Sequence, residues 1–220
     1  MKILRFFMMT VPFVMCLPLM ALAVEDIQTL AILPFDNNSI TEPEKYAPLS
    51  NGLAAMLITD LNKNDSVLTV IERNKIKSIL KEIALGQLGG VDQSTAIEAG
   101  KILGAQSIGF GSFTIMGDMI RMDVRIIKVE SSELIMAESV SGETMNFMAL
   151  ETELAIKIAD ALKTSLKKLH GKSKSSIEAA LYFSKGIDAM DKGNKKEAQK
   201  LFNKAIELDP TYRIQVQAIN

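Results

Sequence analysis

Hydrophobic positions change their period several times along the chain, and each change predicts a different element of secondary structure. Residues 30–35 form a continuous apolar run that ends around Pro34 and is followed by turn residues at 36–39, which is typical of a strand buried on both faces. From Ser50 onward, apolar residues recur at steps of three and four, which predicts an amphipathic helix with Ser50 as its N-cap. The same criteria predict further strands at residues 68–71, 107–115, 120–129 and 134–140, and further helices over residues 74–83, 94–103 and 145–168.

Residues 120–129 alternate between apolar and charged side chains, as in Ile120, Arg121, Met122 and Asp123. This period of two predicts an antiparallel strand with one exposed face. Short polar connections are predicted at residues 116–118 and 141–143. The whole pattern predicts the α/β fold class: a domain of two or three layers, with a mixed sheet of about five strands and flanking helices.

The first residues of the chain have the pattern of a secretory signal. Lys2 and Arg5 precede an apolar run over residues 6–22, and Ala21 and Ala23 supply the small side chains that signal peptidase accepts. Cleavage after Ala23 is therefore predicted, which makes residues 1–23 a signal peptide and sends the mature protein to the periplasm.

Two alternatives compete for this segment. A membrane anchor would need a longer uninterrupted run, whereas this one is marginal in length and contains two prolines. Lipid attachment at Cys16 would need a small residue directly before the cysteine, and Met15 stands there. Both alternatives are disfavoured, so we expect no membrane-spanning segment after signal cleavage.

The amino-acid composition argues against several classes of binding site. The chain is 48% hydrophobic and carries 25 basic against 26 acidic residues, which is globular composition without the basic excess of a nucleic-acid binder. The single cysteine leaves with the signal peptide, and His170 is the single histidine. We therefore expect no disulfide, no metal site, no cofactor and no nucleic-acid partner.

Four short sequence motifs follow the signal, at residues 31–37, 71–73, 100–105 and 124–129. Together they resemble the CsgG/HfaB family and its relatives in the amino-terminal domain of TolB-like proteins, over residues 30–166. The resemblance implies a protein of the bacterial envelope; the founding member of the family is the outer-membrane channel that exports curli subunits. The connections at 116–118 and 141–143 are too short for the pore-forming hairpins of that channel, and Ser132 stands where a glycine is usual.

The end of the chain resembles one tetratricopeptide repeat over residues 179–212. Small and large side chains stand at the spacing that two antiparallel helices need for close contact. The domains are accordingly predicted at residues 24–170 and 177–220, with a polar linker at 171–176 between them. The residues that carry the repeat motif are Tyr182, Gly186, Ala189, Gly193, Ala198, Phe202, Ala205 and Pro210.

A single repeat cannot bury its own apolar face, because neighbouring repeats normally cover it. It is expected either to pack on the preceding long helix or on a partner chain, or to bind a peptide or another repeat in its groove. Phe183 and Met190 are expected to be apolar and exposed in that groove. The resemblance places the groove, and hence partner binding, at Ala180, Phe183, Ser184, Ile187, Met190 and Asp191.

No catalytic residue is predicted. Ser78 and Lys81 match the S-x-x-K spacing of some serine acyl-enzymes, but K-T-G and S-D-N are both absent. The predicted function is a non-enzymatic periplasmic scaffold that supports an outer-membrane-associated secretion or surface-structure complex through protein partners, including self-association. The alternative is a periplasmic adaptor that regulates a cell-envelope enzyme through its repeat; a hydrolase is a remote third.

Overall fold

The computed structural model describes residues 28–63, 68–84, 92–164, 166 and 176–219. The predicted signal residues Ala21 and Ala23, His170 and most of the 171–176 linker lie outside these ranges. The elements of the described residues are β1 (Gln28–Ile32), β2 (Asp36–Asn37), α1 (Pro43–Tyr46), α2 (Leu49–Leu61), β3 (Leu68–Val70), α3 (Arg73–Ala84), α4 (Gln93–Leu103), β4 (Ser107–Met116), β5 (Met119–Lys128), β6 (Leu134–Glu143), α5 (Phe147–Ala161), α6 (Ile177–Asp191), α7 (Lys195–Leu208) and α8 (Tyr212–Ile219).

The sheet is mixed, as predicted, with strand order β3-β1-β4-β5-β6 and the short β2 beside the far half of β4. β1 pairs in parallel with both β3 and β4, whereas β4, β5 and β6 form an antiparallel meander. The chain leaves β1 through α2 to reach β3 on one side, and returns through α3 and α4 to β4 on the other. β1 is therefore the point at which the strand order reverses direction.

Helices cover both faces of the sheet, which settles the layer count at three. Ile115, Ile120 and Gly142 are direct cross-strand neighbours and share one face, on which Leu150 of α5 lies against Gly142. Ile108 is an odd number of positions from Ile115 on β4, so its side chain points to the opposite face. There α4 packs closely, since a Cβ on Gly100 would lie 3.5 Å from Ile108 Cδ1.

Helix α2 is the most enclosed helix of the α/β domain. Eleven of its thirteen residues are buried, so it is covered on all sides rather than along one stripe. It contacts the sheet, α5, α6 and α8. The C-terminal helices therefore add a further layer over α2, on the α5 side of the sheet.

The long predicted helix at 145–168 is wrong at its C-terminal end. After a short 3-10 turn at Thr144–Asn146, α5 runs only to Ala161. Lys163 takes a left-handed φ of 55°, and the amide of Thr164 donates to the carbonyl of Ala159, which closes the helix end. The apolar periodicity continues past this point because Leu166 still packs against the core outside the helix.

The predicted connection at residues 141–143 is also wrong, because those residues complete β6. Arg121, Ile120 and Met119 of β5 pair with Ser141, Gly142 and Glu143. Backbone pairing with a full-length β5 outweighs the turn preference of the local sequence. The connection predicted at 116–118 is confirmed as the tight turn at Gly117, with a φ of 61°. Residues 129–133 join β5 to β6, and there Ser132 takes a φ of 59° that glycine would adopt more easily.

Smaller differences concern caps. Ser50, the predicted N-cap, lies inside α2, whose N-cap is Pro48. Asp92 caps α4 by accepting the amide of Thr95 at 2.8 Å. The C-terminal region, predicted as one hairpin, holds a third helix. α8 packs on α7, α6 and α2 and supplies the sealing helix that a lone repeat requires.

Candidate protein-interaction site

The predicted groove of the repeat faces the α/β domain of its own chain. Phe183 is fully buried, so its expected exposure is wrong, and Met190 and Asp191 are half-buried. The cover is helix α2, which packs along α6. The groove positions with no exposed area are Ala180, Phe183, Ser184 and Ile187. We call this contact of α2 with α6 the α2–repeat interface.

Two small residues let the helices of the α2–repeat interface cross at close range. A Cβ added to Gly52 of α2 would lie 1.7 Å from Ser184 Oγ and 3.1 Å from Ser184 Cα. The Ser184 hydroxyl turns back along its own helix and donates to the carbonyl of Ala180 at 2.7 Å. Both helices therefore need these residue types at the crossing, because larger side chains would separate the backbones.

An aromatic cluster fills the space beneath the crossing. The ring centroid of Phe183 lies 5.8 Å from that of Phe202 and 5.5 Å from that of Tyr212, and all three residues are buried. Gly186 makes room for the Phe202 ring, since a Cβ there would approach it to 2.4 Å. The cluster joins α6, α7 and α8 into one body that rests on α2.

Polar contacts hold the rim of the interface. Arg73 of α3 donates to both carboxylate oxygens of Asp191 at 2.9 Å, and Lys77 Nζ lies 3.2 Å from the same carboxylate. Asn51 of α2 donates to Asp188 at 3.1 Å. Partial burial acts to raise the pKa of Asp191, but the hydrogen bonds and charges of Arg73 and Lys77 outweigh it, so this pKa is lowered below its ordinary value.

Outside the α2–repeat interface, a buried polar cluster connects α2 with α5 and α8. Gln215 donates to the Asp60 carboxylate at 2.9 Å, and Lys63 donates to the same oxygen at 2.7 Å. Glu151 of α5 lies fully buried beside them. Burial, and then the charge of Asp60, raise the pKa of Glu151 well above its ordinary value, against the opposing charge of Lys63. Burial therefore favours the neutral form of Glu151.

Sequence reasoning missed the partner of the groove. The residues of α2 that matter are Gly52, which allows the crossing, and Asp60, which enters the buried polar cluster. The sequence did contain a signal for this contact: residues 53–58 are all apolar, so the predicted helix has no polar face over this stretch. Such a helix must be covered on more than one side.

The S-x-x-K pair does not form a catalytic arrangement. Ser78 and Lys81 are both exposed on α3, and the Ser78 hydroxyl donates to the carbonyl of Lys75. Ser165 and Lys168 have the same spacing in the sequence and lie outside the described residues. Across the described ranges, no group of three or more metal-ligating side chains comes together. Nor does any helix in those ranges combine the length and hydropathy that a membrane crossing requires.

Apolar side chains remain uncovered at one end of the sheet. Ile40, Met116, Met119 and Met145 are 71%, 61%, 46% and 62% exposed. Backbone hydrogen bonds bring their segments together, because the amide of Ile40 donates to Ile115 and the amide of Thr144 donates to Asp118. We call these four residues the sheet-end patch. Its flexible thioether side chains suit an adaptable protein contact.

Comparison with known proteins supports both parts of the chain. Residues 22–118 match the family model described as curli production assembly/transport component CsgG, and residues 179–212 match the tetratricopeptide repeat. Residues 22–118 are thus similar to CsgG and residues 179–212 to a tetratricopeptide repeat, in the order that the sequence predicted. The CsgG match ends at the β4–β5 turn, and β5, β6 and α5 complete the same sheet and layer. No curated protein sequence matches the chain.

Solved structures show partial likenesses. The chain is 17% identical to TolB from Acinetobacter baumannii over 62% of its own length and 28% of that protein, with a TM-score of 0.42. It is 14% identical to lipoprotein GNA1162 from Neisseria meningitidis over 63% of its length and 99% of that protein, with a TM-score of 0.44. It is 15% identical to LpoB from E. coli over 55% of its length and 58% of that protein, with a TM-score of 0.41. The chain thus spans well under a third of the TolB structure.

Proposed function

We propose that this protein is a non-enzymatic assembly protein of the bacterial envelope, which supports an outer-membrane-associated secretion or surface-structure complex. The observation that carries the proposal is the CsgG-family match over residues 22–118, joined to a tetratricopeptide repeat. Both modules favour a role in contacts with other protein chains. The protein acts through the surfaces it offers to other chains.

The structure limits which surface is free for that role. The groove of the repeat is already filled by α2 of the same chain, so a partner cannot enter it while the repeat is docked. The sheet-end patch, in contrast, leaves four large apolar side chains in water. We assign contact with a partner, or with a second copy, to the sheet-end patch.

A thiol-directed cross-linker tests this assignment cleanly, because Cys16 is the single cysteine and is removed with the predicted signal peptide. A benzophenone attached at Met116→Cys is expected to cross-link the protein to a second copy or to an envelope component in intact cells. Lys200→Cys, on the exposed face of α7, is the matched control and is expected to give no product.

The products separate the two candidate functions. Adducts between copies, together with an oligomer in light scattering coupled to size exclusion, support the scaffold. A monomer whose sole adduct is with a cell-wall enzyme supports the adaptor alternative. Absence of any adduct at position 116 would contradict a role for the sheet-end patch. Deletion of the repeat is a poor substitute, since it would uncover the apolar face of α2.

Export is part of the proposal and has its own test. Signal cleavage after Ala23 would leave Val24 as the first residue of the mature chain. Intact-mass measurement of the protein released from the periplasm of a bacterial host is expected to show that terminus. Retention of residues 1–23 would leave the assembly role standing and overturn the predicted export route.

A further inference from the structure

A cavity of about 310 Å³ opens at the carboxyl end of β1, between the first turns of α2 and the length of α3. None of the four residues of the sheet-end patch lines this cavity. β1 is flanked by parallel strands on both sides, and the chain leaves it in opposite directions. In open α/β sheets this crevice is where ligands bind, because the connections diverge there and leave a gap.

The floor of the cavity is apolar. Ile32, at the end of β1, and Ala54 of α2 are buried, and Ile76 of α3 is buried beside them. Pro34 and Leu80 are half-buried and complete the walls. A compact apolar group would gain about 25 cal/mol for each Å² that it removes from water here. At this volume the site accommodates a small molecule rather than a long chain.

The mouth of the cavity is basic. Arg73, Lys77 and Lys81 follow one another at four-residue steps along α3, so they lie in a row on one side of the helix, and all three line the cavity. Asp191 is the acidic residue of the lining, and it is engaged by Arg73 and Lys77. Lys81 has no ion-pair partner among the described residues.

Like charges at four-residue spacing destabilise a helix. Asp191 offsets this repulsion at Arg73 and Lys77, and the charge of Lys81 is the one that it does not pair with. The lining holds three cations and one carboxylate, which leaves an excess of two positive charges over an apolar floor. We propose that this cavity binds a small organic anion, with a compact apolar body in the floor and one acidic group at Lys81 and Lys77. This site is independent of the assembly role proposed above.

Two fluorescent probes that differ by a single charged group test the proposal. Anilinonaphthalene sulfonate has an apolar body and one anionic group, and phenylnaphthylamine is its uncharged parent. We expect the sulfonate to bind the purified protein with one-to-one stoichiometry and about tenfold more tightly than the parent. Equal affinities for the two probes would overturn the assignment of an anionic ligand.

Reversing the charge of a lysine that lines the cavity tests whether the acidic group of the probe binds there. Lys81→Glu is expected to weaken sulfonate binding about tenfold and to leave the parent unchanged. Lys75→Glu is the matched control, since it makes the same charge change on an exposed position of α3 that does not line the cavity. Equal effects of the two variants would show that the probe senses the overall charge of the protein, and would contradict the site.

A third variant tests the apolar floor. Ala54→Leu fills the cavity and is expected to abolish binding of both probes, with circular dichroism confirming that the variant is folded. Retained binding in a folded Ala54→Leu protein would move the site elsewhere. If Ala54→Leu does not fold, the comparison of Lys81→Glu with Lys75→Glu, and of the two probes, still decides the proposal.

Discussion

The α2–repeat interface and the sheet-end patch both contain large apolar side chains that their own helix or strand does not bury. The two surfaces differ in exposure, because the fold buries the first and leaves the second in water. Phe183 and Ile187 of the repeat have no exposed area, because α2 lies over them. Ile40 and Met116 of the sheet-end patch are 71% and 61% exposed. The predicted groove is therefore covered by α2 of the same chain, whereas the sheet-end patch, to which we assign partner contact, is exposed beside the β4–β5 turn.

The largest expected effect concerns the centre of the α2–repeat interface. Phe183→Ala removes a fully buried ring that contacts Phe202 and Tyr212, so it should lower the free energy of unfolding by about 4 kcal/mol. Chemical denaturation measures this loss. Lys185→Ala, on the exposed side of the same helix, is the control and should change stability by about 0.5 kcal/mol or less. A small effect of Phe183→Ala would mean that the interface does not form in solution.

The helix crossing gives the next largest effect. Gly52→Ala places a Cβ within 1.7 Å of Ser184 Oγ, and the resulting overpacking should cost about 3 kcal/mol. Combining it with Ser184→Gly should recover part of that cost, because the obstructing side chain is then absent. The recovery is measured by a double-mutant cycle. Purely additive losses would contradict direct contact between the two positions.

The buried carboxyl of Glu151 is expected to make the free energy of unfolding depend on pH. Its folded pKa lies well above 4.5, owing to burial and to Asp60, so the associated stability is fully present below that value and is lost as pH rises through the raised pKa. Glu151→Gln stays neutral at every pH. It should therefore be more stable than the native chain at pH values above this window.

Unfolding in urea at about pH 5 and about pH 8 measures that difference. The control is Glu153→Gln, an exposed position two residues along the same helix, which should keep the native pH dependence. Identical pH slopes for Glu151→Gln and the native chain would show that the carboxyl is not buried as described.

The rim of the interface should contribute less than its centre. A double-mutant cycle on Arg73→Ala and Asp191→Ala is expected to give a coupling of about 1 kcal/mol at neutral pH, since the pair is bidentate but partly solvated. The lowered pKa of Asp191 means that this contribution is present above pH 3.8 and is lost as pH falls through the folded pKa. The exposed pair of Arg121 and Asp123 should show a coupling near zero, and a larger value there than at the rim would reverse the expected order.

The smallest effect on stability is expected at the sheet-end patch. Met116→Ser with Met119→Ser should change the free energy of unfolding by about 0.5 kcal/mol or less, because both side chains already face water. The same double variant should abolish partner cross-linking from a benzophenone at Met145→Cys. A large loss of stability, or unchanged cross-linking, would erase the distinction between the two surfaces.

Much of the architecture could be predicted because its signals are local. The alternation in β5 predicted an antiparallel strand with one charged face, and Arg121 and Arg125 are exposed there. The small and large residues of the repeat predicted its extent over residues 179–212. Errors arose where backbone pairing or capping outweighed local preference, as at Gly142, which pairs with Ile120, and Lys163, which ends α5.

The sequence by itself determined the kind of most of the longer elements and the need of the repeat for cover, because period and residue size act over a few neighbouring positions. Tertiary structure alone decided what supplies that cover. Asn51 and Asp188 meet across 137 positions of the chain, and no local pattern specifies a contact between helices so far apart. It is the shape of α2, with Gly52 at the crossing, that turns an exposed groove into a buried interface.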